Sequence, residues 1–453
     1  MSIRLVGASL AVMLAMAAPA FARTVNCNED SARLQRVLSR LDGDVSITVK
    51  GNCVGNVTIA TNDVSLVAGD GGASITGQVE VTAQRVSLTG IDITGPEPSD
   101  GTNIRAGLYA HDGGSVKFAN GTIANHIAFG ILSSRGASVI VTASKITGNG
   151  TANIPNEADG VEAVDSGSVL LGAVNANNGP VANAADEVAG NPGRGIIAAR
   201  GGSIRILDGN VHDNGLQAAL AVNSGSIAIN GGNFSVPTPA VGVASDVVLA
   251  TLGGTIDTQN VGGPESVTVT GANGGILSSD SGMVRVRQAI VITSGNRNLD
   301  PAVGAFRGGS AHIGGATTIK NTNTAGAGWA IELADSGTMR IDDTSGGGGS
   351  APNQISGPVG IFDLSSMRIA DANPGSSIAG SFTVSVNSLL SLQRANITGD
   401  MSVIGPSTLN AGPGPIVFTG ALLCFSATGG NSPSTPALIG VPLLFNPPSS
   451  GCP

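Results

Sequence analysis

The chain has 453 residues, of which 12% are charged and 3% aromatic, and carries a formal net charge of −9. That balance lacks the basic footprint needed to neutralise phosphates, which excludes nucleic acid as a partner. Sixty-eight glycines beside one Trp and one Tyr are wrong for an ordinary globular core of this length, and with no three-residue glycine period collagen is excluded too.

Residues 1–22 read as a secretory signal. Arg4 supplies the basic start, Leu5 to Ala18 is apolar, and Ala20-Phe21-Ala22 is a small-x-small cleavage site that leaves Arg23 first. The apolar run is too short to span a bilayer, and no later stretch is long and uncharged enough. The expectation is a secreted protein without a membrane span, whether extracellular, periplasmic or at the cell surface. Four cysteines in an exported chain suggest two disulfides. Three connectivities exist, and the spacing favours Cys27–Cys53 and Cys424–Cys452.

Residues 27–41 are predicted to form one amphipathic helix, with Leu34, Val37, Leu38 and Leu41 on a single face. Glu29 and Asp30 fall in its first turn, where the dipole favours acids. Asp42-Gly43-Asp44 then turns the chain into the alternating strand Val45-Ser46-Ile47-Thr48-Val49. Residues 23–60 are thus expected to be an N-terminal cap that hides the open edge of whatever follows.

From residue 106 a unit of about two dozen residues recurs: strand, Gly-Ser corner, alternating strand, turn, third strand, Asn-Gly. Alignment on the Gly-Ser corner stacks Val116, Val139, Val169, Ile204, Ile227, Ile256, Val284, Met339 and Met367. Ala311 thins that column. Two residues later stand Phe118, Val141, Leu171, Ile206, Ile229, Val286, Ile313, Ile341 and Ile369, with Thr258 as a polar exception. Both columns should face a common bore. Just before the corner the sign alternates through Asp112, Arg135, Asp165 and Arg200, breaks at Asn223 and Leu252, and resumes at Asp280, Arg307 and Asp335. Stacked at strand spacing, alternating charges pair and a one-coil slip would repel. Asn149, Asn177 and Asn214 are expected to stack at a third corner. Residues 152–159 and 180–192 read as insertions leaving one edge just after that corner. Residues 61–420 form the repeat region, and the Pro- and Ser-rich residues 421–453 read as a disulfide-closed C-terminal cap.

A Cys before a short helix, an alternating strand and Gly51-Asn52-Cys53-Val54-Gly55-Asn56-Val57-Thr58-Ile59 resemble the N-terminal cap of exported proteins of the pectin-lyase-like superfamily. The resemblance implies an all-β fold, a right-handed parallel β-helix, and says little about activity, because that fold hosts lyases, hydrolases, epimerases and binding proteins.

Chemistry can sit in two places. Glu157, Asp159 and Glu162, joined by Arg200, fall between the insertions with Asp186, Glu187, Arg194, Arg205, Asp208, His212 and Asp213. A uronate lyase needs a base and cations there, and a hydrolase needs two carboxylates about 5–9.5 Å apart. The second place is an outward column of Arg285, His312, Arg340 and Arg368, positive groups at coil spacing that suit a polyanionic glycan. No phosphate loop, zinc spacing or catalytic triad is present, so neither metal nor cofactor is expected. The scarcity of aromatics and of carboxylate pairs favours a binding or surface-scaffold protein for acidic polysaccharide, with a polysaccharide lyase, hydrolase or epimerase as the alternative.

Overall fold

A computed structural model describes residues 21–96, 105–150, 158–173, 186–237, 246–258, 267–272, 274–294, 301–322, 328–342, 352–370, 377–412, 416–425, 437–440 and 444–446. These residues form a stack of parallel strands, the arrangement of a β-helix. One coil consists of Val161–Ala163, Ser168–Leu171 and Asp186–Ala189, and the next of Ile196–Ala199, Ser203–Ile206 and Gly209–His212. The first strand of each coil belongs to a 15-stranded sheet, and the other two belong to a 30-stranded sheet. Each strand pairs in parallel with its counterpart one coil away.

The register follows the apolar columns. Val139 stands over Val116 and under Val169, and the row continues through Ile204, Ile227, Ile256, Val284, Ala311, Met339 and Met367. All are buried. Full burial of one such aliphatic side chain is worth about 1.5–3 kcal/mol, and the row repeats it on every coil. Thr258 fits the second column because its hydroxyl is occupied: it accepts from the Arg287 N–H at 2.8 Å and donates to the Arg287 carbonyl at 3.1 Å.

The charged corner row pairs as the alternation predicts, and a separate Asp–Arg pair sits on the earlier coils at a different position, where Arg85 faces Ser115 and not Asp112. Arg85 grips Asp63 (2.5 and 2.6 Å), Arg135 reaches Asp112 (3.3 Å), Arg200 Asp165 (2.8 Å) and Arg307 Asp280 (3.3 Å). Every member of the row from Asp112 to Asp363 has positive φ, between 47° and 52°. That left-handed bend explains the Asp and Asn in the row, whose short polar side chains tolerate it.

Three expectations need correction. The helix is confined to Arg33–Leu38, with no acid in its first turn. Residues before it are tied down otherwise: Cys27 donates to the Lys50 carbonyl, Ser31 accepts from the Val54 N–H, and Ala32 donates to the Asp30 carboxylate. Cys27–Cys53 closes with a Cα–Cα separation of 5.0 Å, and Leu34, Leu38 and Leu41 join the main core. The third-corner row runs Asn149–Asn191–Asn214 rather than through Asn177, which lies outside the described residues. Asn191 Oδ1 accepts from both the Asn149 backbone and side chain (2.9 and 3.2 Å), and Asn214 Oδ1 does the same for Asn191 (3.1 and 2.8 Å). Gly160 and Gly195 make room: a Cβ on either would lie 2.7 Å from the Nδ2 of Asn191 or Asn214. Finally, the second expected insertion does not run as loop all the way to residue 192. Asp186–Ala189 is a strand between Lys145–Thr147 and Gly209–His212, so the second insertion leaves at a different corner from the first. Cys424 ends up in strand Leu422–Phe425; its expected bridge to Cys452 lies outside the described residues. Strand Phe21–Asn26 pairs with Val45–Val54, so its first two residues precede the expected cleavage point.

Candidate functional site

The acidic patch resolves into pairs. Glu157 lies outside the described residues. Asp159 is 1% exposed, and its Oδ1 accepts from the Arg194 N–H (2.7 Å) while Oδ2 meets the Arg194 guanidinium (3.3 Å). Burial pushes its pKa up to about 6, against the pull of Arg194. Glu162 points outward between Leu132 and Ile197, as its strand alternation predicts, and is half-buried. Its charge helps to hold the Arg200 proton, although the main cause is the hydrogen bond from Arg200 to Asp165. Asp186, expected on a loop, is 1% exposed and accepts from the N–H groups of Ser144 (2.9 Å) and Gly172 (2.6 Å). Glu187 takes Lys145 (2.9 Å) and His212 (3.5 Å). Asp159 and Asp186 therefore fasten coils together from inside.

The second column assembles as expected. Arg285, His312, Arg340 and Arg368 stack in register on the outer face of the long sheet. Acids accompany the first three. Asp257 meets Arg285 (3.5 Å) and Arg287 (2.8 Å), while the 1%-exposed Asp342 meets His312 (2.9 Å) and Arg340 (2.5 Å). Arg368 is exposed and has no acidic partner among the described residues. On the coils that precede this column the same strand carries a row of hydroxyls, Ser115, Ser138, Ser168, Ser203, Ser226 and Thr255, one per coil. The row breaks at Met283 and resumes with Ser310, Thr338 and Ser366 beside His312, Arg340 and Arg368. Three shallow grooves lie along the same face. One of about 150 Å³ touches Ser115, Lys117 and Ser138; one of about 410 Å³ runs from Ser138 past Arg205 to Asp257; one of about 400 Å³ surrounds Arg368.

The sequence reading missed a cluster on the outer face of the short sheet. Tyr109 stacks on His111 with ring centroids 4.2 Å apart. His111 bridges Glu80 and Asp112 through its two ring nitrogens, each at 2.7 Å, and Arg135 donates to the Tyr109 hydroxyl at 2.7 Å. An imidazole between two carboxylates can relay a proton, and a guanidinium beside it can hold an acid group. The signal was present: Glu80 sits in the alternating run Val79-Glu80-Val81, in register with Tyr109. Repeats counted from residue 106 stop one coil short of it. Farther along the same face, Trp329 meets Phe362 edge-on at 5.3 Å. The outward column between these clusters is mostly apolar, with Leu132, Ile197 and Leu220 buried outside the bore and Glu162 set between the first two.

No protein-family model matches the chain, and no curated protein is similar to it.

Proposed function

We propose that the protein is an exported right-handed parallel β-helix of the pectin-lyase-like kind that binds an acidic polysaccharide along the outer face of its long sheet. One observation carries the reading: three grooves line up on the face that bears both the hydroxyl row and the cation column. A polysaccharide is a linear array of hydroxyls with apolar ring faces. A groove that repeats one hydroxyl per coil, about 4.8 Å apart, offers it hydrogen bonds at a spacing of the order of one sugar. The cations add affinity for carboxylates. Affinity electrophoresis of the purified protein through gels containing alginate, polygalacturonate or neutral dextran tests this. Retardation by the acidic polymers and not by dextran is expected; free migration through all three defeats the proposal.

The Glu80–His111–Arg135–Tyr109 cluster favours a second reading, a lyase acting on uronates by β-elimination. Absorbance of unsaturated product from wild type, abolished in His111→Ala, would establish it; absence of product with every acidic polymer would remove it.

A further inference from the structure

We infer that the C-terminal end of the long-sheet groove is a subsite for one uronate, and that the ligand is a sparsely charged heteroglycan rather than a continuous polyuronate. The inference rests on the reading of that face as the glycan surface. A polyuronate lying along the stack presents carboxylates throughout its length. The groove cannot receive them evenly, because Arg285 and Arg287 share Asp257, and His312 and Arg340 share Asp342. A carboxylate arriving there meets cations already engaged at close range, with one net positive charge left where Arg285 and Arg287 share Asp257, and it loses hydration for less than a full countercharge per guanidinium. Arg205 donates to the neutral Asn230 Oδ1 at 3.3 Å and stands in the same groove as Asp257.

Arg368 differs. It is exposed, no acid reaches it among the described residues, and Ser366, Ser391, Gln393 and Asn410 line the same groove of about 400 Å³. Leu389, 38% exposed, interrupts the hydroxyl row there, in register between Ser366 and Thr408. A cation, a set of hydroxyl and amide groups and one apolar side chain match the three surfaces of a uronate pyranose: carboxylate, hydroxyls and C–H face. Toward the other end the lining is Ser138, Ser168, Ser203 and Ser226 with Leu170 and Ala228, which suits neutral sugars. Lys117 is nine coil steps from Arg368 and lines the smallest of the three grooves, beside the exposed Ile140.

Calorimetric titration of the full chain with gellan, polygalacturonate and dextran, for wild type, Arg368→Ala and Arg340→Ala, decides the matter. Gellan carries a uronate among neutral sugars. Wild type should bind gellan at least as tightly as polygalacturonate, and Arg368→Ala should weaken gellan binding by about tenfold or more, the loss expected for one charge-assisted contact. Arg340→Ala should change it by less than about threefold, because that guanidinium is already held by Asp342. Polygalacturonate binding tenfold tighter than gellan, or an unaltered Arg368→Ala, overturns the inference while leaving the glycan reading in place. Absence of heat with all three polymers sinks both.

Discussion

Arg200 Nε donates to Asp165 Oδ1 at 2.8 Å across one coil step, and both residues occupy left-handed backbone, at φ 47° and 48°. Their shared backbone conformation aims two adjacent side chains the same way, which makes the pair possible. The hydrogen bond from Arg200 holds the Asp165 carboxyl below its usual range. Because the side chains are 59% and 46% exposed, the pair contributes at most about 1 kcal/mol. Arg200→Asp, which sets two carboxylates face to face, should lower the Tm by a few degrees at low salt, and molar salt should recover most of the loss. An unchanged Tm at low salt would strip the row of any role in register.

Leu252 occupies the same row at φ 50° and is 54% exposed. A γ-branched side chain gains nothing from solvent there and bears the cost of left-handed backbone, which is about 1–2 kcal/mol for an ordinary residue. Asn tolerates that bend and would extend the row from Asn223. Leu252→Asn should therefore stabilise the fold by about 1 kcal/mol in urea denaturation. A lower midpoint would show that the side chain is held by something other than its backbone.

Thr258 stands where the bore otherwise holds Val, Ile or Leu, yet its hydroxyl satisfies both backbone groups of Arg287. Thr258→Val keeps the shape and orphans those groups. It should cost about 1–3 kcal/mol, against expectation for a more apolar core. Equal or greater stability by chemical denaturation would mean that Arg287 finds other partners.

Stability should fall as the solution is made alkaline. Burial pushes Asp186 up to about 7 and Asp159 to about 6, from 3.8. A raised folded-state pKa favours the neutral acid in the fold. That stability is complete below pH ~4 and is lost as pH rises through 6 and 7. Asp63 and Asp165 act oppositely: their arginines lower the folded-state pKa, so their contribution is present above pH ~4 and lost in stronger acid. The Tm should peak between about pH 4 and 6. Asp186→Asn, which keeps an acceptor for Ser144 or Gly172, should flatten the decline above pH 6 by up to one proton's worth of slope. A wild-type Tm constant from pH 5 to 8 contradicts this account.

The outward column of Arg285, His312, Arg340 and Arg368 was legible because its members are related by the same offset from a Gly-Ser corner. Its neutralisation was not, because Asp342 comes from the end of a strand and turns back on two coils. Glu162 was placed correctly between Leu132 and Ile197, but Asp159, three residues earlier, was read as a surface acid when it is enclosed around Arg194. The Glu80–His111 contact escaped notice although both residues lie in alternating runs.

Sequence alone determined the bore, the coil-to-coil register and the charge alternation at the corner. Those features rest on a period of two along each strand and on glycines that recur at one turn, both local properties of the chain. Tertiary structure decided which corner each insertion leaves, that Asn191 rather than Asn177 continues the amide row, and which acids meet cations. Those outcomes depend on how many residues intervene between one strand and the next. An insertion of unmarked length hides that count, and only the hydrogen-bond pairing of neighbouring coils reveals it.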